Sequence, residues 1–383
     1  MMRPMKLAGS ELVFGEGCLE YVKTIDAKKV SIVVGGKSME RSGILARIQK
    51  LFFEAGADTM VIDGVEPDPS FETVMRGVKE MRSFCPDLIV GLGGGSAMDA
   101  AKAMWIFYEH PDLKEMADIM PPNTFPKLRG KARMCCIPST SGTASEVSRS
   151  IVISDNQTGL KYGLGNMEMM PDIAVLDPEV TRSMPPKITA ETGMDALTHA
   201  LEALVSTRAN YLSDILATQA ALDIIETLPA AYENGNNKKA REIMLQASMA
   251  AGLAFTNVSL GIVHSMAHSI GGMFHLSHGL ADAVLLPYVI QFNEKDERAK
   301  EIYGRIAAKA GVKNLSQAVE ALNTKLNIPS NLREIIPDET AFMEKLDEVT
   351  VLALADGCTK TNPVIPEPEE LKQLFLKVYK GER

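Results

Sequence analysis

Two patterns of apolar and polar positions divide the chain. In its first half, short unbroken apolar runs alternate with segments whose apolar residues recur at helical spacing. "KKVSIVVGG" is a β-branched run closing on glycine, followed by the helical "MERSGILARIQKLFFEAG". "DTMVIDGV" precedes a helix through "SFETVMRGVKEMRSF", and "PDLIVGLGGGS" leads into "AMDAAKAMWIFYEH". Strand, glycine turn and helix, repeated in this way, predict βαβ units around a buried, mainly parallel sheet. "RMCCIPSTSGTASEVS", "SIVISD" and "DIAVLD" add further strands, while the proline-rich "IMPPNTFPKLRG" is expected to be an exposed connection.

After about Thr181 the strand signals stop. "ITAETGMDALTHALEALVS", "SDILATQAALDIIETLPAAYENG", "KKAREIMLQASMAAGLAF" and the segments beyond them carry apolar residues at helical spacing. The second half therefore reads as an all-helical domain. The paired prolines of "VTRSMPPKIT" break the pattern, which puts the expected domains at 1–182 and 183–383.

Composition changes this picture little. The chain has 383 residues, 46% hydrophobic and 23% charged, which is ordinary for a globular protein of two domains. A net charge of −9 with no long basic run argues against nucleic acid as a main partner. The start lacks a signal-peptide core and no apolar span reaches about 20 residues, so a cytoplasmic protein without a membrane segment is expected. The five cysteines are odd in number and irregular in spacing, which speaks against a disulfide framework or a thiolate zinc site. The apolar helical faces make a homodimer the default assembly.

Two features carry candidate chemistry. In "LIVGLGGGSAMDAAKAM" a buried strand runs into Gly91, Gly93, Gly94 and Gly95, and Ser96 opens a helix. Glycines let the backbone approach an anion, and the free N–H groups of a helix start point at it, so phosphate or pyrophosphate is the natural ligand. The run is neither G-x-G-x-x-G nor a Walker A loop. "PSTSGTASEVS" is a second small-residue turn with hydroxyls for the same ligand; by itself it reads as an N-capping loop. The other feature is histidine: four of the chain's six lie between residues 264 and 279. Asp195 and His199 are four apart and share one helix face, and His264 and His268 repeat that spacing, with His278 ten residues on. One carboxylate and three imidazoles, Asp195, His199, His264 and His278, suit a divalent ion such as Fe²⁺ or Zn²⁺.

At this point the residues match a known family. "FGEG", "GLGGGSAMDAAK", "PSTSGTASEVS", "ETGMDALTHALEA", "VHSMAHSIGGMFHLSHG" and "GCTKTNP" occur in order along almost the whole chain. In them the chain resembles the iron-containing (group III) alcohol dehydrogenases, whose superfamily includes glycerol dehydrogenase and dehydroquinate synthase. The resemblance implies a dehydroquinate synthase-like fold, with a dinucleotide-binding α/β domain followed by an all-helical metal-binding domain. It implies hydride transfer between NADP(H) or NAD(H) and a primary alcohol or aldehyde, with Asp195, His199, His264 and His278 holding Fe²⁺ or Zn²⁺. It further assigns His268 to proton relay, His278 also to the cofactor, and Phe255 and Cys358 to the substrate pocket. Gly94, Gly95, Ser96 and Asp99 match the pyrophosphate loop, Ser139, Thr140 and Thr143 the second nucleotide turn, and Val152 and Lys161 the cofactor lining.

NAD-preferring members carry an aspartate at the first βα turn, where it binds the ribose hydroxyls and repels a 2′-phosphate. Here Gly36 stands there, with Lys37, Ser38 and Arg41 close by, which favours NADP(H). Asp68 near the cofactor, Ser150 and Val364 also depart from common family residues and leave substrate size open. Rival readings are a polyol (glycerol-type) dehydrogenase, a dehydroquinate synthase-like lyase, a metal-dependent phosphohydrolase, and a non-catalytic nucleotide-binding protein. A lyase acting on a phosphorylated acid calls for basic residues around the metal, which the "MDALTHALEALVS" and "VHSMAHS" segments lack.

Overall fold

The computed structural model describes residues 5–154 and 161–382, with the backbone alone at Lys161 and Tyr162. The chain separates into two compact units, Met1–Met184 and Pro185–Arg383.

The first unit contains β1 (Glu11–Phe14), β2 (Lys29–Gly35), β3 (Asp58–Val65), β4 (Leu88–Gly93), β5 (Arg133–Pro138), β6 (Ser150–Ser154), β7 (Lys161–Gly165) and β8 (Ile173–Leu176). Six of them form one sheet in the order β1-β8-β5-β4-β2-β3, with all neighbours parallel. Its helices are α1 (Ser38–Arg41), α2 (Ile44–Glu54), α3 (Phe71–Phe84) and α4 (Gly95–Glu109). The unbroken apolar runs are explained by burial on both faces. Val33, Ile89 and Cys136 pack with α3 and α4 on one side, while Ile32, Val90 and Cys135 pack with α2 on the other. The adjacent cysteines thus lie on opposite faces, and all five cysteines are free.

Three details differ from the sequence reading. "SIVISD" does not extend the parallel sheet; β6 pairs antiparallel with β7 in a sheet of its own. Only Ile151 and Ile153 of β6 are buried, alternating with partly exposed Ser150, Val152 and Ser154, so this strand has one dry face rather than two. The segment "MERSGILARIQKLFFEAG" is broken into α1 and α2 at Gly43, whose φ of +77° no helix accommodates. The short β1, which pairs with β8, was not foreseen as a strand.

The strand order places the first candidate site. β2 lies between β3 and β4, so the chain leaves β2 to one side and returns on the other. Such a reversal opens a crevice at the carboxyl ends of the two central strands. The turns after β2 (Gly36, Lys37) and after β4 (Gly94, Gly95) both lie there, and a Cβ added at Gly93 would come within 3.9 Å of the Gly35 nitrogen.

Among its described residues the second unit has helices and connecting loops and no strand. It comprises α5 (Pro186–Val205), α6 (Tyr211–Glu233), α7 (Lys238–Val258), α8 (Ile262–Phe274), α9 (His278–Asn293), α10 (Glu297–Lys309), α11 (Leu315–Lys325), α12 (Glu339–Ala355) and α13 (Pro368–Lys380). Pro186 opens α5, where its missing N–H costs no hydrogen bond. α5 packs against α6, α7 and α9, and α8 packs against α9 and α12. Among the described residues no single helix is long and apolar enough to cross a membrane.

One buried side chain ties the first unit together. Trp105 on α4 is fully buried and donates Nε1–H to the Ala132 carbonyl at 3.0 Å. The Arg129 guanidinium lies 4.9 Å from its ring centre and reaches Asp172 at 2.6 Å, just before β8. Trp105→Phe keeps the aromatic body but strands the carbonyl, so chemical denaturation followed by circular dichroism is expected to register a loss of about 1–3 kcal/mol.

Candidate metal centre and nucleotide loop

α4 starts at Gly95 rather than Ser96, with Gly94 as its cap and no capping side chain. The first N–H groups of this helix therefore stay available to an anion. Two glycines are demanded by space: a Cβ at Gly93, whose φ is +151°, would stand 2.8 Å from the Ala97 Cβ, and one at Gly95 would stand 2.8 Å from Thr143 Cγ2. Thr143 of the second small-residue turn thus packs directly on the glycine loop, and Thr140 lies beside Gly94. Ser139 is anchored by its own N–H, which donates to the Gly93 carbonyl at 2.8 Å.

Asp99 has an internal duty. Its Oδ1 accepts from Ser145 Oγ at 2.6 Å and its Oδ2 from the Val152 N–H at 2.9 Å, so it ties α4 to the second small-residue turn and to β6. One turn further, Lys102 is fully buried and donates Nζ to Ser145 Oγ (2.9 Å) and to the carbonyls of Ser148 (3.0 Å) and Ser150 (3.2 Å). Burial depresses its pKa and raises that of Asp99. Sequence reasoning missed Lys102, although a lysine one turn after Asp99 on a helix otherwise apolar there was a usable signal. Gly36 has φ +53°, and an added Cβ would meet nothing within 4 Å. Beside it opens a cavity of ≈ 340 Å³ lined by Gly36, Lys37, Glu40, Gln49 and Asp63 among others. Ser38 begins α1, and Asp68 is an exposed residue with φ +53° before α3. Lys161 begins β7, with its side chain outside the described residues.

The second unit gathers the histidines. Asp195 and His199 lie one turn apart on α5, His264 and His268 one turn apart on α8, and His278 is the first residue of α9. Single ligand atoms of Asp195, His264, His278 and Asp282 all lie within 4.8 Å of one another. Asp195 Oδ1 is 3.8 Å from His264 Nε2, 3.9 Å from His278 Nε2 and 3.3 Å from His199 Nε2. His199 stands beside the four-atom group, its ring stacked between Phe255 (4.3 Å) and His264 (4.7 Å). Asp282 was absent from the sequence reading, which counted histidines and overlooked the carboxylate one turn after His278.

Among the described residues, Asp195 Oδ1, His264 Nε2 and both oxygens of Asp282 are buried without a hydrogen-bond partner. Burial pushes the pKa of Asp195 up, and burial with the charge of Asp195 pushes Asp282 well up. Burial likewise holds His264 well below the usual imidazole range. A divalent cation reverses the balance by favouring the charged carboxylates and the neutral ring. The separations of 3.3–3.9 Å are those kept by donors about 2.1 Å from a shared ion. The donor set therefore fits a divalent transition metal.

Two further carboxylates set the imidazoles. Glu202 accepts His264 Nδ1–H at 2.6 Å and the N–H groups of Gly261 (2.9 Å) and Val263 (2.7 Å). With Nδ1 protonated, Nε2 presents its lone pair to the group. Burial raises the Glu202 pKa to about 8, against these donors. Asp356 accepts His268 Nδ1–H at 2.9 Å, with Ser265 Oγ and the Cys358 N–H on its other oxygen. Burial works to raise Asp356, but His268 and the Cys358 N–H hold it well below the usual carboxylate range. The His268 ring lies parallel to His278 at 5.2 Å. His275 caps the end of α8 in the left-handed conformation, exposed and apart from the cluster's ligand atoms.

Comparison with known proteins agrees with this arrangement. Residues 9–178 match the iron-containing alcohol dehydrogenase family, and residues 189–379 match the C-terminal part of the Fe-containing alcohol dehydrogenase family. The chain is 47% identical over 380 residues to an NADPH-dependent butanol dehydrogenase of Clostridium saccharobutylicum, covering 97% of both. It is 38% identical over 380 residues to an alcohol dehydrogenase of Thermococcus barophilus, covering 97% of this chain and 98% of that one. Among solved structures, the iron-containing alcohol dehydrogenase from Thermococcus thioreducens is similar with a TM-score of 0.92 and 36% identity, over 98% of this chain and 99% of that chain. With both halves matched in order and nearly the whole length aligned, the chain belongs to the iron-containing alcohol dehydrogenase family.

Proposed function

We propose that this protein is an iron-dependent, NADP(H)-using enzyme that interconverts a small primary alcohol and its aldehyde. Family membership makes it an oxidoreductase of alcohols or aldehydes; the ion, the cofactor and the residue roles are our reading. The observation that carries it is the acid–imidazole cluster in which, among the described residues, Oδ1 of Asp195, Nε2 of His264 and both oxygens of Asp282 are buried without a hydrogen-bond partner. In this class of chemistry a bound Fe²⁺ polarises the substrate carbon–oxygen bond, and the nicotinamide exchanges hydride with the substrate carbon.

The chain's own residues supply the rest. Asp195, His199, His264 and His278 hold the ion, and Glu202 keeps the Nδ1 proton of His264 so that Nε2 faces inward. Asp356 orients His268, whose side chain is 39% exposed, so that its Nε2 passes a proton between the substrate oxygen and solvent. Phe255 and Cys358 wall the substrate pocket. The N–H groups at Gly94, Gly95 and Ser96 take the pyrophosphate, and Asp99 with Lys102 fixes the turn holding Ser139, Thr140 and Thr143 and the strand holding Val152.

Two variants test the reading. His264→Ala is expected to lose the ion and turnover together, with a fall in kcat of about a hundredfold or more; metal analysis of the same sample checks the pairing, and full activity without iron contradicts it. For the cofactor, kcat/KM with NADPH is expected to exceed that with NADH, in keeping with the NADPH-dependent relative. Gly36→Asp has the space it needs, and aspartate tolerates the left-handed backbone there. Its charge should move the ratio toward NADH by about tenfold or more. A native enzyme that prefers NADH refutes the assignment.

A further inference from the structure

Asp282 is the one member of the four-atom group that neither histidine spacing nor the family's ligand set accounts for. It lies one helical turn after His278 on α9 and is fully buried. Its Oδ2 is 3.2 Å from His278 Nε2 and 4.0 Å from His264 Nε2, yet neither of its oxygens has a hydrogen-bond partner among the described residues. The 3.2 Å approach to His278 is thus a meeting of two atoms at a common point, without the alignment of a hydrogen bond. The carboxylate of Asp195 comes to the same place from α5, near enough for the two acids to share a proton when no cation lies between them. A buried acid whose only role was to orient His278 would accept its N–H, and one whose role was structural would be capped by backbone or hydroxyl donors, as Glu202 is.

We propose that Asp282 is an additional carboxylate donor to the ion, giving a five-donor site of two acids and three imidazoles that selects Fe²⁺ over Zn²⁺. The inference rests on the reading that a divalent ion occupies this cluster. Two negative charges neutralise a dication where a single carboxylate leaves one charge uncompensated, and this tightens binding in a dry site. Five donors also exceed the tetrahedral four that zinc takes in most protein sites, whereas ferrous iron accepts larger oxygen and nitrogen sets.

The test is metal binding by the full chain, stripped with a chelator and titrated without oxygen with Fe²⁺ alone, Zn²⁺ alone, and both in competition. Asp282→Asn keeps the shape and removes the charge. Its Fe²⁺ dissociation constant should rise about tenfold or more, its Zn²⁺ constant should rise less, and the bound Fe/Zn ratio should fall. Melting of the metal-free protein separates this from a packing role. The asparagine amide can donate to Asp195, so the metal-free variant should melt no lower than the native chain, while the rise in Tm on adding Fe²⁺ shrinks. Asp282→Ser, smaller and uncharged, carries the same expectations if the asparagine variant fails to fold. Unchanged Fe²⁺ affinity, or a metal-free variant melting several degrees lower with an unaltered Fe/Zn ratio, overturns the role of Asp282 and leaves the ion site standing. A native chain that retains no stoichiometric ion overturns both.

Discussion

A carboxylate enclosed in a helical core needs either a proton donor or a positive charge, because desolvation otherwise makes its ionised form too costly. In the second unit Asp195 and Asp282 are both enclosed, and among the described residues Oδ1 of Asp195 and both oxygens of Asp282 have no hydrogen-bond partner. The neighbouring imidazole of His264 cannot help, since its outer proton is already committed to Glu202. Much of the unit's architecture follows from satisfying this electrostatic demand at one point.

The helices meet the demand through spacing. A carboxylate and an imidazole one turn apart occur on α5 as Asp195 and His199, and on α9 in reverse order as His278 and Asp282. α8 brings His264 between them, held at its start by Glu202 from α5. Glu202 approaches the α8 backbone closely because residue 261 is glycine; a Cβ there would lie 2.8 Å from Glu202 Oε1 and 2.5 Å from Asn362 Oδ1. Docking the start of α8 and setting the tautomer of His264 are consequently one event, performed by one carboxylate.

Legibility from sequence tracked how local each signal is. The buried strands announced themselves as apolar runs, and the helical half through its periodicity, since each depends on neighbours in the chain. The β6–β7 pairing hid because an apolar run does not reveal its partner, and only the serines at the two ends of β6, Ser150 and Ser154, hinted at a one-sided strand. At the metal centre the histidines stood out by rarity, whereas Asp282 and Glu202 are common residue types among 49 acids. Their meaning comes from burial, which sequence does not display directly. Lys102 was obscured for the same reason: an exposed and an enclosed lysine are written alike.

Trp105 gives the molecule an optical asymmetry. It is the chain's single tryptophan and sits on α4 in the first unit, with its indole hydrogen-bonded and shielded from water. Intrinsic fluorescence excited at the indole band therefore follows the sheet-bearing unit alone, while the far-ultraviolet dichroism of the chain is dominated by helices, most of which lie in the other. The two spectroscopic signals report different halves, so any lag between them during denaturation measures how far the units unfold independently of each other.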